Sequence, residues 1–154
     1  MPSIRLDVPV EAQEYDFSCW HSAAYMVWLY WQQNGAGAGP MNTIASSYAE
    51  SQSQGISAAK FIVLAQKVGL MAVPPKKTYT ETDLYNALKK YGPLWAAGTW
   101  DGQPHIVVIT GVDKGYVYYN DPDGGEQLAD SLSWFNTQRS KLPAAIMAKN
   151  PAAY

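Results

Sequence analysis

The first half of the chain is dominated by apolar residues at helical spacing. In the segment DFSCWHSAAYMVWLYWQQN, one face carries Cys19 and the apolar residues that follow it at three- and four-residue intervals. The opposite face carries Trp28 and Trp31, so we expect this helix to be buried nearly all round. It ends at Asn34, where the glycine-rich stretch NGAGAGP begins, because glycine adopts the conformations that terminate helices.

Capping residues mark the ends of this helix and of others. Either Asp16 or Ser18 can accept the free backbone N–H groups at the start of the first helix. The amphipathic segment SAAKFIVLAQKVG has Ser57 in the N-cap position and Gly69 just past its end. The segment TETDLYNALKKYG has the spacing of a capping box, with Thr80 as N-cap. Between the first helix and SAAKFIVLAQKVG, the segment MNTIASSYAESQSQ favours a weaker helix followed by a polar loop.

The second half changes to β-branched and aromatic runs broken by Gly, Pro and Asp. PLWAAGTW, HIVVITGV and YVYYND predict strands, VDKGYV predicts a hairpin turn, and the shorter runs LMAV and AAIMA predict two further strands. SIRLDVPV predicts a short extended segment, and SLSWFNTQRS predicts one more helix. Because helices come first and an antiparallel sheet follows, the order indicates an α+β fold. With no internal repeat or linker, we expect residues 1–154 to form one domain.

Composition indicates a globular protein that does not bind nucleic acid. Hydrophobic residues make up 47% of the 154 positions and charged residues 16%, which is too apolar for a disordered chain. The formal net charge is −2 and no basic stripe is present, so binding to nucleic acid has no electrostatic basis. The lysine pairs at 76–77 and 89–90 are short and indicate solvated surface.

The counts of cysteine and histidine and the lengths of the apolar runs exclude further classes. Cys19 is the one cysteine, so no disulfide forms within the chain. The histidines are His21 and His105, and no C-x-x-C or H-x-x-x-H spacing occurs, so neither a metal site nor a cofactor is predicted. MPSIRLDVPV lacks the apolar core of a signal peptide, and no apolar run approaches the roughly 20 residues that cross a membrane. Export by a signal-independent route and excision from a larger polypeptide both remain open.

Cys19 allows two interpretations. Helix N-termini carry a partial positive charge that stabilises a thiolate over a thiol, and the thiolate is the reactive form. A cysteine in the first helical turn can therefore be a nucleophile. A lone cysteine can equally be a small buried apolar residue, and its position alone does not decide between the two.

Three other polar residues can complete a nucleophilic site around Cys19. His105 opens the strand HIVVITGV and Asp121 ends the next strand, so antiparallel pairing can bring the carboxylate to the imidazole that it would orient. The side-chain amide of Gln13, six residues before Cys19, can stabilise an oxyanion together with the Cys19 backbone N–H. His21 points away from Cys19 on the same helix, so we interpret it as a surface or packing residue.

These residues carry a resemblance to a known family. The run from Gln13 through Cys19, Trp20, Ser22 and Ala23 resembles the active-site helix of papain-like cysteine peptidases, and CWHSAAYMV is most similar to compact bacterial effector peptidases of that kind. GPLWAAGTWDGQPHIVVITGVDKGYVYYNDPDGG resembles the same family and the leader-peptidase domains of peptide-exporting ABC transporters. The resemblance runs from about residue 8 to about residue 148. It implies a papain-like α+β fold, with the nucleophile at a helix N-terminus and the helices packed on a C-terminal antiparallel sheet.

The resemblance also implies a role for each matching residue. Cys19 would be the nucleophile, His105 the general base, Asp121 the orienting residue and Gln13 the oxyanion donor. Plant and lysosomal members have Asn as the orienting residue. Asn120 is adjacent here, but the Asp-Pro pattern favours Asp121. Cys19 and His105 are only 86 residues apart, which implies a trimmed sheet with fewer loops to shape substrate subsites.

From the resemblance we expect a cysteine endopeptidase that acts as a bacterial effector or toxin. It would be exported by a specialised route and would cut specific proteins in the reducing cytoplasm of a target cell, which suits the absence of disulfides. Its partners would be a protein substrate and a cognate immunity or inhibitor protein.

Two alternatives stay open at this point. One is a leader peptidase or amidase that cuts after small residues, or an acyl transferase on the same triad; a narrow cleft lined by Trp20 and Trp100 would favour glycine at the cut site. The other is an inactive papain-fold binding module, against which the intact set of Cys19, His105, Asp121 and Gln13 argues.

Overall fold

Four helices form in the described part of the structure, a computed structural model that covers residues 3–13, 19–35, 58–102 and 104–152. The expected caps at Asp16, Ser18 and Ser57 and the weaker helix within 41–54 lie outside these ranges. The helices are α1 (Cys19–Gln33), α2 (Ala58–Lys67), α3 (Glu81–Tyr91) and α4 (Leu132–Gln138).

The described strands form one antiparallel sheet in the order β2-β7-β3-β4-β5-β6. A short β1 pairs with the far part of β4, where Ile4 lies opposite Val112, beyond the stretch of β4 that β3 covers. The strands are β1 (Ile4–Arg5), β2 (Leu70–Ala72), β3 (Leu94–Gly98), β4 (His105–Asp113), β5 (Tyr116–Asp121), β6 (Glu126–Ser131) and β7 (Ile146–Lys149).

Helices cover both faces of the sheet. Trp95 and Ala97 of β3 belong to the core cluster shared with α1 and α2, whereas Leu94 and Ala96 belong to the cluster shared with α3 and α4. Successive strand side chains point to opposite faces, so a strand buried on both faces has an unbroken apolar sequence. This explains why PLWAAG and HIVVIT show no polar alternation. The α+β arrangement predicted from the sequence is confirmed.

Local signals explain two well-defined features. The hydroxyl of Thr80 accepts from the Asp83 N–H at 3.1 Å and the Asp83 carboxylate accepts from the Thr80 N–H at 3.0 Å, which completes the predicted capping box of α3. A cap of this kind stabilises a helix by about 1 kcal/mol. Lys114 and Gly115 both have positive φ, at 51° and 83°, as the tight turn of the β4–β5 hairpin requires.

The polar residues predicted to form a site lie at one end of the sheet. Gly98 at the end of β3 lies opposite His105 at the start of β4. On the other side of β4, Asn120 lies opposite Val108, so β5 ends at Asp121 beside the first residues of β4. Helix α1 packs on β4 and β3, and its first residue is Cys19.

Two other features concern alternative kinds of function. Within the described ranges, no helix has the length and apolar character needed to cross a bilayer. Among the same residues, no three or more His, Cys, Asp and Glu side chains are grouped so that they could share a metal ion.

Candidate active site

The pair of His105 and Asp121 forms the centre of the candidate site. His105 Nε2 lies 2.6 Å from Asp121 Oδ1, and both side chains are mostly buried. The hairpin register produces this approach, because β4 begins where β5 ends. Bonds between ionised groups at this distance are among the stronger hydrogen bonds in proteins.

Cys19 is the second partner of the imidazole. Besides Asp121, the Cys19 side chain raises the pKa of His105, through a side-chain hydrogen bond and through its charge. Because Asp121 occupies Nε2, Nδ1 is the ring nitrogen left for the thiol. Cys19 is 2% exposed and is the first residue of α1, so the positive end of the helix faces this contact. The three side chains therefore belong to one site, in which both Cys19 and Asp121 act on the imidazole of His105.

Opposing effects set the charge of His105. Burial lowers the pKa of an imidazole because it penalises the charged form. The hydrogen bonds and negative charges of Asp121 and Cys19 outweigh this effect and raise the pKa of His105 from 6.5 to about 9. His105 is therefore an imidazolium at neutral pH, which is the state that can protonate a leaving amine.

Asp121 also belongs to a turn. Its Oδ1 accepts a hydrogen bond from the Asp123 backbone N–H at 2.9 Å, as in turns that begin with an aspartate. Asp121 thus begins an Asp-Pro turn, and this structural role does not exclude a second one. The backbone N–H fixes the carboxylate while the same oxygen faces His105.

Residues 6–13, called the N-terminal strap, carry Gln13 to the same corner of the molecule. The strap begins where Leu6 N donates to Thr110 O at 2.8 Å and ends where Gln13 N donates to Pro122 O at 2.7 Å. Gln13 therefore sits directly beside the residue that follows Asp121. The strap places the expected oxyanion donor next to the turn that holds the carboxylate.

Two further contacts hold the strap on the sheet. Asn120 is buried, and its Nδ2 donates to Val8 O at 3.0 Å. Gly125 has φ +66, and a Cβ at that position would lie 3.0 Å from the Cβ of Ala12. The strap thus packs closely against the loop after β5, and glycine permits this approach.

The structure distinguishes the two adjacent residues that could have oriented the imidazole. The Asp121 carboxylate contacts His105, whereas the Asn120 amide contacts the strap carbonyls of Val8 and Pro9. The sequence suggested nothing of this second contact, because Asn120 and Val8 are 112 residues apart. Asn120 is the residue of this site that sequence reasoning missed.

Trp20 and Trp100 do not form the cleft expected of them. Trp20 is 0% exposed in the core beneath α1, and Trp100 is 3% exposed in the core on the other face of the sheet. Trp100 packs on Trp134 and Phe135 and donates its indole N–H to Ala96 O at 3.1 Å. Both residues are close to the site residues in sequence, but the apolar surfaces of their rings are buried against other core side chains. The prediction that the two side chains line a substrate cleft is corrected accordingly.

His21 is a packing residue rather than a second base. Its ring meets the Trp20 ring edge-on, with centroids 5.4 Å apart, and the side chain is buried. Two positions along a helix separate it from Cys19, so the two side chains diverge. This is one of the two positions that the sequence allowed for His21.

Comparisons with known proteins agree with this fold. A family model described as "Papain-like cysteine protease AvrRpt2" matches residues 2–140. The crystal structure of a double glycine motif protease from an AMS/PCAT transporter, in complex with the leader peptide, is similar to this chain with a TM-score of 0.58. It is 24% identical, and the match covers 93% of this chain and 90% of that one, which shows a shared fold. No curated protein matches the sequence.

Proposed function

The chain belongs to the family described as papain-like cysteine protease AvrRpt2 and is a cysteine peptidase, and we propose that it is an endopeptidase that uses Cys19, His105 and Asp121 as a catalytic triad. The observation that carries this proposal is the 2.6 Å contact between His105 Nε2 and Asp121 Oδ1, with the thiol of Cys19 raising the pKa of the same imidazole. This is the arrangement by which an imidazole activates a nucleophile and then acts as an acid.

Acylation begins with the Cys19 thiolate. Its sulfur attacks the carbonyl carbon of the scissile bond, and the carbonyl oxygen becomes an oxyanion. The Cys19 backbone N–H and the Gln13 side-chain amide stabilise that charge. His105 then donates its proton to the amine nitrogen, the C–N bond breaks, and a thioester remains on Cys19.

Deacylation uses the same residues in the reverse protonation states. The neutral imidazole of His105 removes a proton from water, and the resulting hydroxide attacks the thioester. Asp121 keeps the ring oriented and stabilises its charged form in both halves of the cycle. The acid product leaves, and the thiolate–imidazolium pair is restored.

We propose that the peptidase acts as a bacterial effector or toxin, which cuts specific proteins in the cytoplasm of a target cell. Two considerations favour this role. The segment CWHSAAYMV resembles compact effector peptidases, and the single cysteine is compatible with a reducing compartment. A specialised export route and an immunity or inhibitor protein in the producing cell belong to the same proposal.

A second candidate is a leader peptidase that cuts after small residues. The observation in its favour is the fold similarity to the double glycine motif protease, which spans most of both chains. The two candidates differ in the sequence before the cut. A leader peptidase requires small residues such as glycine there, whereas an effector peptidase selects a wider motif in cytosolic proteins.

Mapping the new protein N-termini in a treated lysate tests the proposal. The lysate is incubated with the wild-type protein or with Cys19→Ala, and the N-termini that appear only with the wild type are sequenced. We expect a small set of cut proteins with a shared motif, and no such set with Cys19→Ala or His105→Ala. Asp121→Ala should keep more activity, because this residue orients the base rather than reacting.

Two results would contradict the proposal. Full cleavage by Cys19→Ala would remove Cys19 from the role of nucleophile. Cuts confined to double-glycine sites would support the leader-peptidase candidate instead. Thermal melting of each variant serves as the folding control, and Cys19→Ala should melt close to the wild type.

A further inference from the structure

A groove of about 870 Å³ lies on the side of β3 away from β4. Its walls come from the end of β2, the start of β7 and the segment after α4. The side chains that matter here are Tyr79, Lys76, Lys77, Arg139 and Lys141. We call it the cationic groove.

Arg139 is an unusual feature of this groove. It is only 7% exposed, and its Nη2 donates to the carbonyls of Lys76 and Lys77 at 2.8 and 2.7 Å. The Tyr79 ring lies below it, with the guanidinium carbon 5.1 Å from the ring centroid. The buried Nε has no hydrogen-bond partner among the described residues.

The charge of Arg139 also lacks a counterion. Within the described part of the chain, no carboxylate forms an ion pair with it. Burial lowers the pKa of Arg139 from its ordinary value, since the guanidinium has lost water without gaining an anion. A buried charge of this kind is costly unless something pairs with it.

Lysines add to the positive charge at the rim. Lys141 Nζ donates to Asn136 O at 2.7 Å, and burial followed by the charge of Arg139 lowers the pKa of Lys141. Lys76 Nζ lies 3.3 Å from Asp83, the one carboxylate that these cations engage among the described residues. The groove therefore has four cations for a single carboxylate, and that carboxylate lies on the Lys76 side.

The register of the sheet relates the backbone of Arg139, at the edge of the groove, to that of His105, the candidate base. Gly98 pairs with His105 on one side and with Arg139 on the other. Two strand spacings correspond to roughly 10 Å. An extended chain advances about 3.3–3.6 Å per residue, so a bound peptide would cover this distance in about three residues.

We propose that the cationic groove binds an acidic side chain of the protein substrate, Asp or Glu, about three to four residues from the bond that is cut. The carboxylate pairs with the ammonium groups of Lys77 and Lys141 at the rim, and the buried charge of Arg139 adds to the attraction, while the apolar wall beside Tyr79 contacts the peptide stem. The inference rests on the proposed endopeptidase function. Its occupant is a peptide because the groove lies about one short extended segment from the residues that would cut a peptide.

Direct binding tests the groove without requiring catalysis. The protein carries Cys19→Ala, so the probe is not cut, and fluorescence polarisation follows fluorescein-labelled hexaglutamate, with hexaglutamine as the neutral probe. We expect hexaglutamate to bind and hexaglutamine not to bind. The double variant Lys77→Gln/Lys141→Gln should weaken binding about tenfold or more, which corresponds to about 1.4 kcal/mol.

A matched control separates a defined site from general attraction. Lys114 is exposed in the hairpin turn at the opposite end of the sheet, so Lys114→Gln removes one charge without touching the groove and is compared with the single variant Lys77→Gln. We expect Lys114→Gln to leave binding within about twofold. Equal weakening by groove and control variants would overturn the proposal. Arg139→Gln should also weaken binding, with its melting temperature as the check that the loop at 76–77 stays in place.

Two readouts keep failure of the groove distinct from failure of the proposed function. With the active protein and a peptide library, we expect acidic residues to be enriched three to four positions from the cut, and Lys77→Glu/Lys141→Glu to replace that preference by a basic one. Cleavage without acidic preference and without hexaglutamate binding would overturn the groove alone. Hexaglutamate binding with no cleavage of any peptide would leave the binding groove standing and overturn the endopeptidase. Tighter binding of a single-stranded oligonucleotide than of hexaglutamate would overturn the choice of a peptide as occupant.

Discussion

His105 is held between two groups that stabilise its charged form, and its ionisation should therefore determine the alkaline side of the activity profile. With a pKa of about 9, it keeps through neutral pH the proton that the leaving amine needs. As pH rises through that value, the proton is lost and acylation slows.

Asp121→Asn tests this account. The substitution removes the negative charge while keeping the size of the side chain, so the pKa of His105 should fall and the alkaline limb of kcat should move to lower pH by about one unit or more. The measurement is kcat against pH from 6 to 10 for both proteins. Asp123→Asn is the control, because Asp123 contacts Asp121 through its backbone N–H. Superimposed limbs for the wild type and Asp121→Asn would contradict the assignment.

Gln13 should act mainly on the transition state. Its amide is expected to meet the oxyanion rather than the resting carbonyl, so Gln13→Ala should lower kcat by about 100- to 1,000-fold with little change in peptide binding. Peptide affinity is measured in the Cys19→Ala background and kcat in the active enzyme. Gln127→Ala, at an exposed position of β6, serves as the control. Wild-type kcat in Gln13→Ala would exclude Gln13 from the site.

The N-terminal strap is the element that connects the two halves of the candidate site. Asn120 holds Val8 on the sheet, and Gln13 N donates to Pro122 O, so the donor and the carboxylate are positioned by the same corner of the hairpin. Asn120 is a positioning residue in this account, since it contacts the strap and not the imidazole.

Asn120→Ala should release the strap and lower kcat through Gln13. If Asn120 acts through Gln13, the effects of the two substitutions will not add. Asn120→Ala should then lower kcat much less in the Gln13→Ala background than in the wild type. The pH profile should keep its alkaline limb, because Asp121 still contacts His105. Additive effects of the two substitutions on kcat would show that Asn120 acts by another route, and a shifted alkaline limb would show that it perturbs the base.

Elements with strong local signals could be predicted from the sequence, and elements fixed by distant contacts could not. The capping box at Thr80 and the hairpin turn at Gly115 lie where residue type alone requires them. Strand β6, in contrast, has the polar sequence EQLADS and is a largely exposed edge strand, so neither an apolar run nor clean alternation marks it. The strap, which follows β1, has no regular secondary structure, and contacts with residues more than 100 positions away hold it.

For the candidate site, chemistry was easier to predict than geometry. Antiparallel strands joined by a tight turn require His105 and Asp121 to lie close together, and the structure puts them in contact. The positions of the residues around this pair could not be predicted in the same way. Trp20 and Trp100 lie near the site in sequence, but burial of their large apolar area places them in two separate cores. The cationic groove combines side chains from 76–79 and 139–141, which only the folded sheet brings together.

For the whole molecule, the candidate site should make stability depend on pH. The pKa of His105 rises from 6.5 in the unfolded chain to about 9 in the fold. Protonation then favours the folded state, so this contribution is fully present below pH 6.5 and is lost as pH rises through about 9. Because several coupled groups share the effect, its size is on the order of 1–3 kcal/mol, which is a measurable part of a total stability of about 5–15 kcal/mol.

Urea unfolding at a series of pH values from 6 to 10, under reducing conditions, measures this contribution. All other groups are common to the wild type and Asp121→Asn, so the difference between the two free energies of unfolding reports the interaction of His105 with Asp121. We expect the wild type to be the more stable protein at pH 6.5 and its advantage to shrink steadily toward pH 10. A difference that stayed constant across this range would show that the 2.6 Å contact contributes packing but no proton-linked stability, and the imidazolium assigned to the resting enzyme would have to be abandoned.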